Sequence, residues 1–165
     1  MRTTIVTVEE FYAHALEIER EAAERYAEFA AYFTEHGEEV IAGLCRSLAT
    51  LESEHHRQLL RACEGLKIPV ISQGEYLWID GSRPESAARE LFYRATTPRQ
   101  LLEIALGAEM RARAFFVGVA RSSASKAVRE LASIMAAEEA EHVGWVRDAL
   151  EYQPGSPNWE KLIAR

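Results

Sequence analysis

The sequence predicts an all-α fold, a bundle of four helices with a long crossover between the second and third helices. Two observations support this: apolar residues recur every three or four positions over long segments, and turn-forming residues separate those segments. A length of 165 residues suits one domain, residues 1–165, with a sizeable core. The segments expected to be helical are 8–36, 38–63, 98–121 and 126–152, and the crossover is 64–97.

The first two helices have clear start and stop signals. Thr7 is followed three residues later by Glu10, the pattern of a capping box at a helix N-terminus. Gly37 is a typical helix C-terminal residue, and the next apolar stripe begins directly after it and runs to Cys63 before Gly65. The short junction makes the two helices antiparallel neighbours.

The second half repeats this arrangement after a different kind of segment. Residues 64–97 contain several prolines and glycines but also Trp78, which favours a crossover anchored by apolar side chains over a flexible linker. Thr97, Pro98 and Gln100 then provide an N-cap, a first-turn proline and a capping-box partner.

Composition and charge exclude several functional classes. The net charge of −7 argues against nucleic acid as a partner, because binding phosphate requires clustered Lys and Arg. No stretch approaches the roughly 18 apolar residues of a membrane span, and the first residues lack an apolar signal segment, so no membrane association and a cytoplasmic location are expected. Cys45 and Cys63 are expected to be reduced packing residues.

Acidic residues and histidines interrupt the apolar faces of all four helices. Glu and His three positions apart project from the same face of a helix, one turn from each other. Two helices carry such a pair, and each is preceded by a helix with one glutamate in its apolar face. In both halves that lone glutamate is followed seven residues later by an aromatic residue, Tyr26 or Phe116, so the hairpins form a pseudo-repeat. The predicted site residues are Glu19, Glu52, His55, Glu109, Glu139 and His142.

These residue types at one buried level predict a metal site. Four carboxylates carry four negative charges, and two divalent cations would neutralise them, whereas without cations the carboxylates are costly to bury. Mixed carboxylate and imidazole ligands suit iron or manganese better than structural zinc. The residues therefore predict two metal ions per site and leave open whether they are two iron ions, manganese or a mixed Mn/Fe pair.

A metal-free interpretation explains each residue singly. A buried histidine is often only a hydrogen-bonded core residue, and a glutamate at the edge of an apolar face can reach water. His14, His36 and His56 lack partners in phase and are expected at the surface. The flanking acids are expected on a solvated face, and Tyr26 is expected in the core with the option of a hydrogen bond to a ligand carboxylate. Those flanking acids are Glu54, Glu138 and Glu141.

The pattern resembles the ferritin-like di-iron carboxylate proteins, which place a glutamate on each of two helices and Glu-x-x-His on the other two. Within that group the sequence is most similar to the rubrerythrins, on the stretches from Ala15 to Glu19, leading to Tyr26, and from Ala136 to His142. Two features depart from them: Ala112 stands where peroxidase-type rubrerythrins have a further glutamate, and the chain has no CxxC motifs of a rubredoxin domain.

The resemblance implies a ferritin-like four-helix bundle and a di-iron oxidoreductase that reduces hydrogen peroxide or dioxygen. It implies that Glu52 and Glu139 bridge two ions, that Glu19 and Glu109 are terminal ligands, and that His55 and His142 each bind one ion. Electrons would come from an external donor, rubredoxin-like or other, and a homodimer is expected. Three alternatives stay open: a ferroxidase that oxidises iron(II) for storage, an oxygenase with a substrate pocket beside the metals, and a metal-free scaffold.

Overall fold

A computed structural model describes residues 4–72 and 97–151, and within these ranges the chain forms four α-helices and no strand. The predicted all-α bundle is therefore confirmed, with helix bounds within one residue of those expected. The helices are α1 (Val8–Glu35), α2 (Glu39–Ala62), α3 (Pro98–Ser122) and α4 (Lys126–Glu151).

Local signals in the sequence set the ends of these helices. The Thr7 hydroxyl accepts a hydrogen bond from the Glu10 N–H at 3.2 Å, and Thr97 does the same for Gln100 at 3.2 Å. The Glu10 carboxylate accepts from the Val6 N–H at 3.3 Å, one residue further back than in a capping box. Gly37 has a φ of 74°, the left-handed conformation that glycine adopts most easily, and it makes the sharp turn between α1 and α2.

The helices pack as two hairpins, α1 against α2 and α3 against α4, with fewer contacts between the hairpins. Side chains from all four helices form two apolar clusters, one towards each end of the bundle. Members of the first cluster, one from each helix in chain order, are Phe29, Leu44, Leu102 and Val146, and those of the second are Phe11, Leu59, Phe116 and Val128.

Some sequence predictions fall outside the described residues. Most of the crossover 64–97, including Trp78, lies there. Among the helices that are described, none combines the length and the apolar character needed to cross a membrane.

Candidate metal centre

The six predicted site residues lie in one layer between the two apolar clusters. On every helix the site residues fall between a member of the first cluster and a member of the second, as Glu19 does between Phe11 and Phe29. All four glutamates are at most 3% exposed, and His142 is 5% exposed. The His55 side chain is 15% exposed. The phase of the apolar pattern thus brought six polar side chains into the bundle interior.

The distances within this layer are those of atoms that could share a cation. His142 Nδ1 lies 3.4 Å from Glu109 Oε2, 3.5 Å from Glu139 Oε2 and 3.6 Å from Glu52 Oε1. His55 Nδ1 lies 3.7 Å from Glu19 Oε2. Such separations are long for hydrogen bonds. Two ligand atoms each about 2.1 Å from one ion, at roughly 110° to each other, are about 3.4 Å apart.

Two overlapping sets of ligand atoms result. Glu109, Glu139 and His142 form one set, and Glu52, His55 and His142 form the other, with the ligand atoms of each set within 4.8 Å of one another. The imidazole rings of His55 and His142 stack with centroids 4.6 Å apart and an interplanar angle of 21°. The layer is therefore continuous from one hairpin to the other, and its Glu and His groups could hold a metal ion.

Several of these buried atoms have no hydrogen-bond partner among the described residues. They include both carboxylate oxygens of Glu19, Oε2 of Glu139, and Nδ1 of His55 and of His142. A buried polar atom without a partner costs about 1–3 kcal/mol, so such atoms are rare unless something else satisfies them. Carboxylate oxygens and imidazole nitrogens facing one point fit a divalent cation well.

Burial shifts the proton affinity of the carboxylates. Burial, reinforced by the neighbouring carboxylates of Glu52 and Glu139, raises the pKa of Glu19 well above its usual range. Burial likewise raises the pKa of Glu139. Burial also acts to raise the pKa of Glu109, but the adjacent His142 outweighs it and the net pKa is lowered. Metal-free protein would therefore keep protons on some of these carboxylates.

The two histidines shift in opposite directions. Burial acts to lower the pKa of His142, yet the adjacent carboxylates of Glu109 and Glu139 raise it to about 11. Burial, followed by the positive charge of His142, lowers the pKa of His55. Protons thus balance part of the negative charge of the layer, and a cation that binds there must displace them.

Tyr26 and Arg25 extend the site beyond the six residues. The Tyr26 hydroxyl donates a hydrogen bond to Glu109 Oε1 at 3.1 Å, which confirms the option stated for this side chain. The Arg25 guanidinium lies 4.9 Å from the centroid of the Tyr26 ring, and Arg25 is 5% exposed. Sequence analysis missed Arg25, although its position, three residues after Ala22 and four before Phe29, is in phase with the apolar face of α1.

The prediction that His14 lies at the surface was wrong. His14 is buried, its ring stacks on Phe115 with centroids 5.9 Å apart, and its Nδ1 lies 2.8 Å from the Glu10 carbonyl oxygen. The backbone carbonyl satisfies the ring nitrogen, which makes burial tolerable. His36 is exposed as predicted, and His56 is partly buried.

A cavity of about 660 Å³ reaches the site from one side. Among the described residues its wall comes from α2 and α4 and includes both site histidines together with Glu54, Glu141 and Trp145. Glu141 is exposed as predicted, while Glu54 is partly buried. The wall of the cavity also carries Arg46, and Glu54 is paired with Arg57.

The two cysteines play no part in the layer. Cys45 and Cys63 are both free and buried, in the first and second apolar clusters respectively, as expected of packing residues.

Glu138, the third flanking acid, is partly buried, and burial raises its pKa.

Comparison with known proteins adds one relative of known structure. No protein-family model matches the chain, and no curated protein matches it. The crystal structure of COG1633, an uncharacterized conserved protein from Magnetospirillum magnetotacticum MS-1, is 31% identical in sequence and superposes with a TM-score of 0.71. The match covers 91% of this chain and 97% of that one. The four-helix bundle is thus ferritin-like, as predicted. With this identity over nearly the whole length of both chains, the protein belongs to the family of uncharacterized conserved proteins represented by COG1633.

Proposed function

We propose that this protein is a non-haem di-iron oxidoreductase of the rubrerythrin type, which reduces hydrogen peroxide or dioxygen at the buried layer of glutamates and histidines. The observation that carries the proposal is the convergence of four carboxylates and two imidazoles between two apolar clusters, with several of their oxygens and nitrogens lacking hydrogen-bond partners among the described residues. A layer of this composition is costly without cations.

The ligand roles follow from which helix supplies each side chain. Glu109, Glu139 and His142 would hold one ion. Glu52 and His55 would hold the other, and Glu19, which lies outside both sets, would join them through its Oε2, 3.7 Å from His55 Nδ1. Glu52 could contribute to both positions, because its Oε1 on α2 lies only 3.6 Å from His142 Nδ1 on α4. Iron held by these residues would supply the electrons for reduction of the oxidant.

The rest of the chain would protect and supply this chemistry. The two apolar clusters exclude water above and below the layer. The cavity beside His55 and His142 offers a route for a small oxidant. Reduction of hydrogen peroxide to two water molecules takes two electrons and two protons, so an external donor, rubredoxin-like or other, must restore the electrons after each turnover.

Metal analysis tests the site directly. Protein produced in iron-replete medium is expected to hold about two transition-metal ions per chain, and Glu52→Ala or His142→Ala should lower that number. Glu28→Ala, an exposed glutamate on α1, is the matched control and should leave it unchanged. Stoichiometric zinc alone, or no metal in repeated preparations, would refute the di-iron proposal.

Turnover assays test the reaction. Purified iron-loaded protein with a reducing partner should consume hydrogen peroxide, and His142→Ala should abolish this. Retained iron without any peroxide or dioxygen consumption would refute the activity while leaving the metal site in place.

A ferroxidase is the second candidate function. Glu141 stands in the cavity wall next to both site histidines, where its negative charge would attract iron(II), while Glu54 in the same wall is paired with Arg57. Iron(II) oxidation by dioxygen without any reducing partner, combined with a large assembly on size-exclusion chromatography, would favour this candidate. A homodimer that needs the reducing partner would favour the peroxide reductase.

A further inference from the structure

The two halves of the metal centre have matching ligands but unlike surroundings. Glu19 on α1 and Glu109 on α3 occupy equivalent positions of the pseudo-repeat, and each is followed seven residues later by an aromatic side chain. In the first half that residue is Tyr26, preceded by Arg25. In the second half the same two positions hold Phe115 and Phe116. A hydroxyl group and a guanidinium are thus present at only one of the two equivalent places.

Tyr26 acts on the ligand of the opposite hairpin. Its hydroxyl donates to Glu109 Oε1 at 3.1 Å, while Glu109 Oε2 faces His142 Nδ1 at 3.4 Å. One oxygen of Glu109 is therefore held by the tyrosine and the other is directed at the metal position. Glu19 differs, because neither of its oxygens has a hydrogen-bond partner among the described residues.

The Tyr26 ring is itself held in place. Its edge contacts Phe29, with centroids 6.1 Å apart at 88°, and the buried Arg25 guanidinium lies over its face. A ligand whose orientation is set before binding loses less conformational entropy when the ion arrives. Hydrogen-bond partners of metal ligands typically contribute about 10–100-fold in affinity for the same reason.

The two metal positions differ in burial only at their histidines, because all four glutamates are at most 3% exposed. Glu109, Glu139 and His142 are all buried. The other position includes His55, whose side chain is 15% exposed, compared with 6% for His142. Attraction between a cation and its carboxylates is stronger where water is excluded.

We propose that the metal centre fills in a fixed order, in which the position formed by Glu109, Glu139 and His142 binds its ion first and more tightly, with Tyr26 as the positioning residue responsible. The position formed by Glu19, Glu52 and His55 fills second and exchanges its ion more readily. This inference rests on the proposed di-metal centre.

The test is a titration of metal-free, full-length protein with manganese(II), with free ion counted by its EPR signal. Wild-type protein should show two classes of site at least tenfold apart in affinity. Tyr26→Phe should weaken the first class about 10–100-fold and change the second class less than threefold. Tyr12→Phe is the matched control, a buried α1 tyrosine in the second apolar cluster, and should change neither class. Far-UV circular dichroism should show both variants folded.

A second variant tests whether the missing hydroxyl weakens the second metal position. Phe116→Tyr places a hydroxyl at the equivalent position of the second half and should narrow the gap between the classes by strengthening the weaker one. Equal affinities in the wild type, or a first class insensitive to Tyr26→Phe, would overturn the inference. Saturation at one ion would refute the di-iron proposal, yet sensitivity of that ion to Tyr26→Phe would still support the preferred position. Absence of any binding would refute both.

Discussion

Replacement of Glu19 by methionine should stabilise the protein when no metal is present. Glu19 is 0% exposed, and neither carboxylate oxygen has a hydrogen-bond partner among the described residues. Methionine has nearly the same length and volume, so the substitution removes a buried polar group without opening a cavity. It also removes a carboxyl group that lies beside two others.

The expected gain follows from the cost of such a group. An unsatisfied buried polar group costs about 1–3 kcal/mol, and an apolar side chain of similar shape at the same place avoids that cost. We therefore expect Glu19→Met to raise the free energy of unfolding in EDTA by about 1–3 kcal/mol. For a chain of this size that corresponds to a rise in Tm of about 2–12 °C. Most single substitutions instead lower the free energy of unfolding.

Urea unfolding followed by circular dichroism, in EDTA and again with manganese(II), measures both effects. In EDTA the variant should have the higher midpoint. With metal the order should reverse, because an ion present at 1,000 times its Kd stabilises wild-type protein by about 4.1 kcal/mol, more than the gain expected of the variant, which has lost a ligand. Glu28→Met, at an exposed position of α1, should stay within about 0.5 kcal/mol of wild type in both conditions. A variant less stable than wild type in EDTA by more than about 1 kcal/mol would refute the reasoning.

Three further predictions concern protons and thiols. Manganese(II) binding at pH 7 should release protons, chiefly from His142 with its pKa of about 11, so the apparent affinity for manganese(II) should rise with pH. Calorimetry in buffers of different ionisation enthalpy measures the number of protons released. A value of zero would contradict the prediction. Burial lowers the pKa of His14 below its usual 6.5, so the buried neutral ring contributes its full stability above pH 6.5 and loses it as the pH falls towards the lowered pKa. The urea midpoint of His14→Gln in EDTA should therefore fall less steeply from pH 7.5 to 5 than the midpoint of wild type. Parallel curves for the two proteins would count against this. Burial raises the pKa of the Cys45 thiol to about 12, so iodoacetamide should alkylate Cys45 at pH 7.5 only when urea unfolds the protein. Mass spectrometry locates the alkylated cysteine. Rapid labelling of Cys45 in native protein would be inconsistent with the structure.

The bundle and its six site residues could be predicted because both depend on direction along a helix. A period of 3.6 residues determines which side chains point inwards, and Glu52 with His55, like Glu139 with His142, falls on the inward face whatever the neighbouring helices do. Helix ends could be predicted too, because Thr7 and Gly37 end a helix through contacts and backbone conformation within a few residues along the chain.

Contacts between side chains of different helices could not be predicted from the sequence. The hydroxyl of Tyr26 could have met either of the two lone glutamates, and only the offset of the hairpins pairs it with Glu109 instead of Glu19, its neighbour on α1. Arg25 and His14 are polar residues in phase with the buried face of α1, and their residue types gave no reason to expect them inside. They are buried because an aromatic ring lies against each, that of Tyr26 against Arg25 and that of Phe115 against His14.

The sequence by itself therefore determined the helices, their inward faces and the set of acids and imidazoles that those faces carry. Tertiary structure alone decided which of these groups meet, how a tyrosine makes two equivalent positions unlike, and where a cavity opens to the histidines. Helical periodicity is a property of consecutive residues, whereas the rotation and offset of one helix against another depend on the shapes of all the side chains between them.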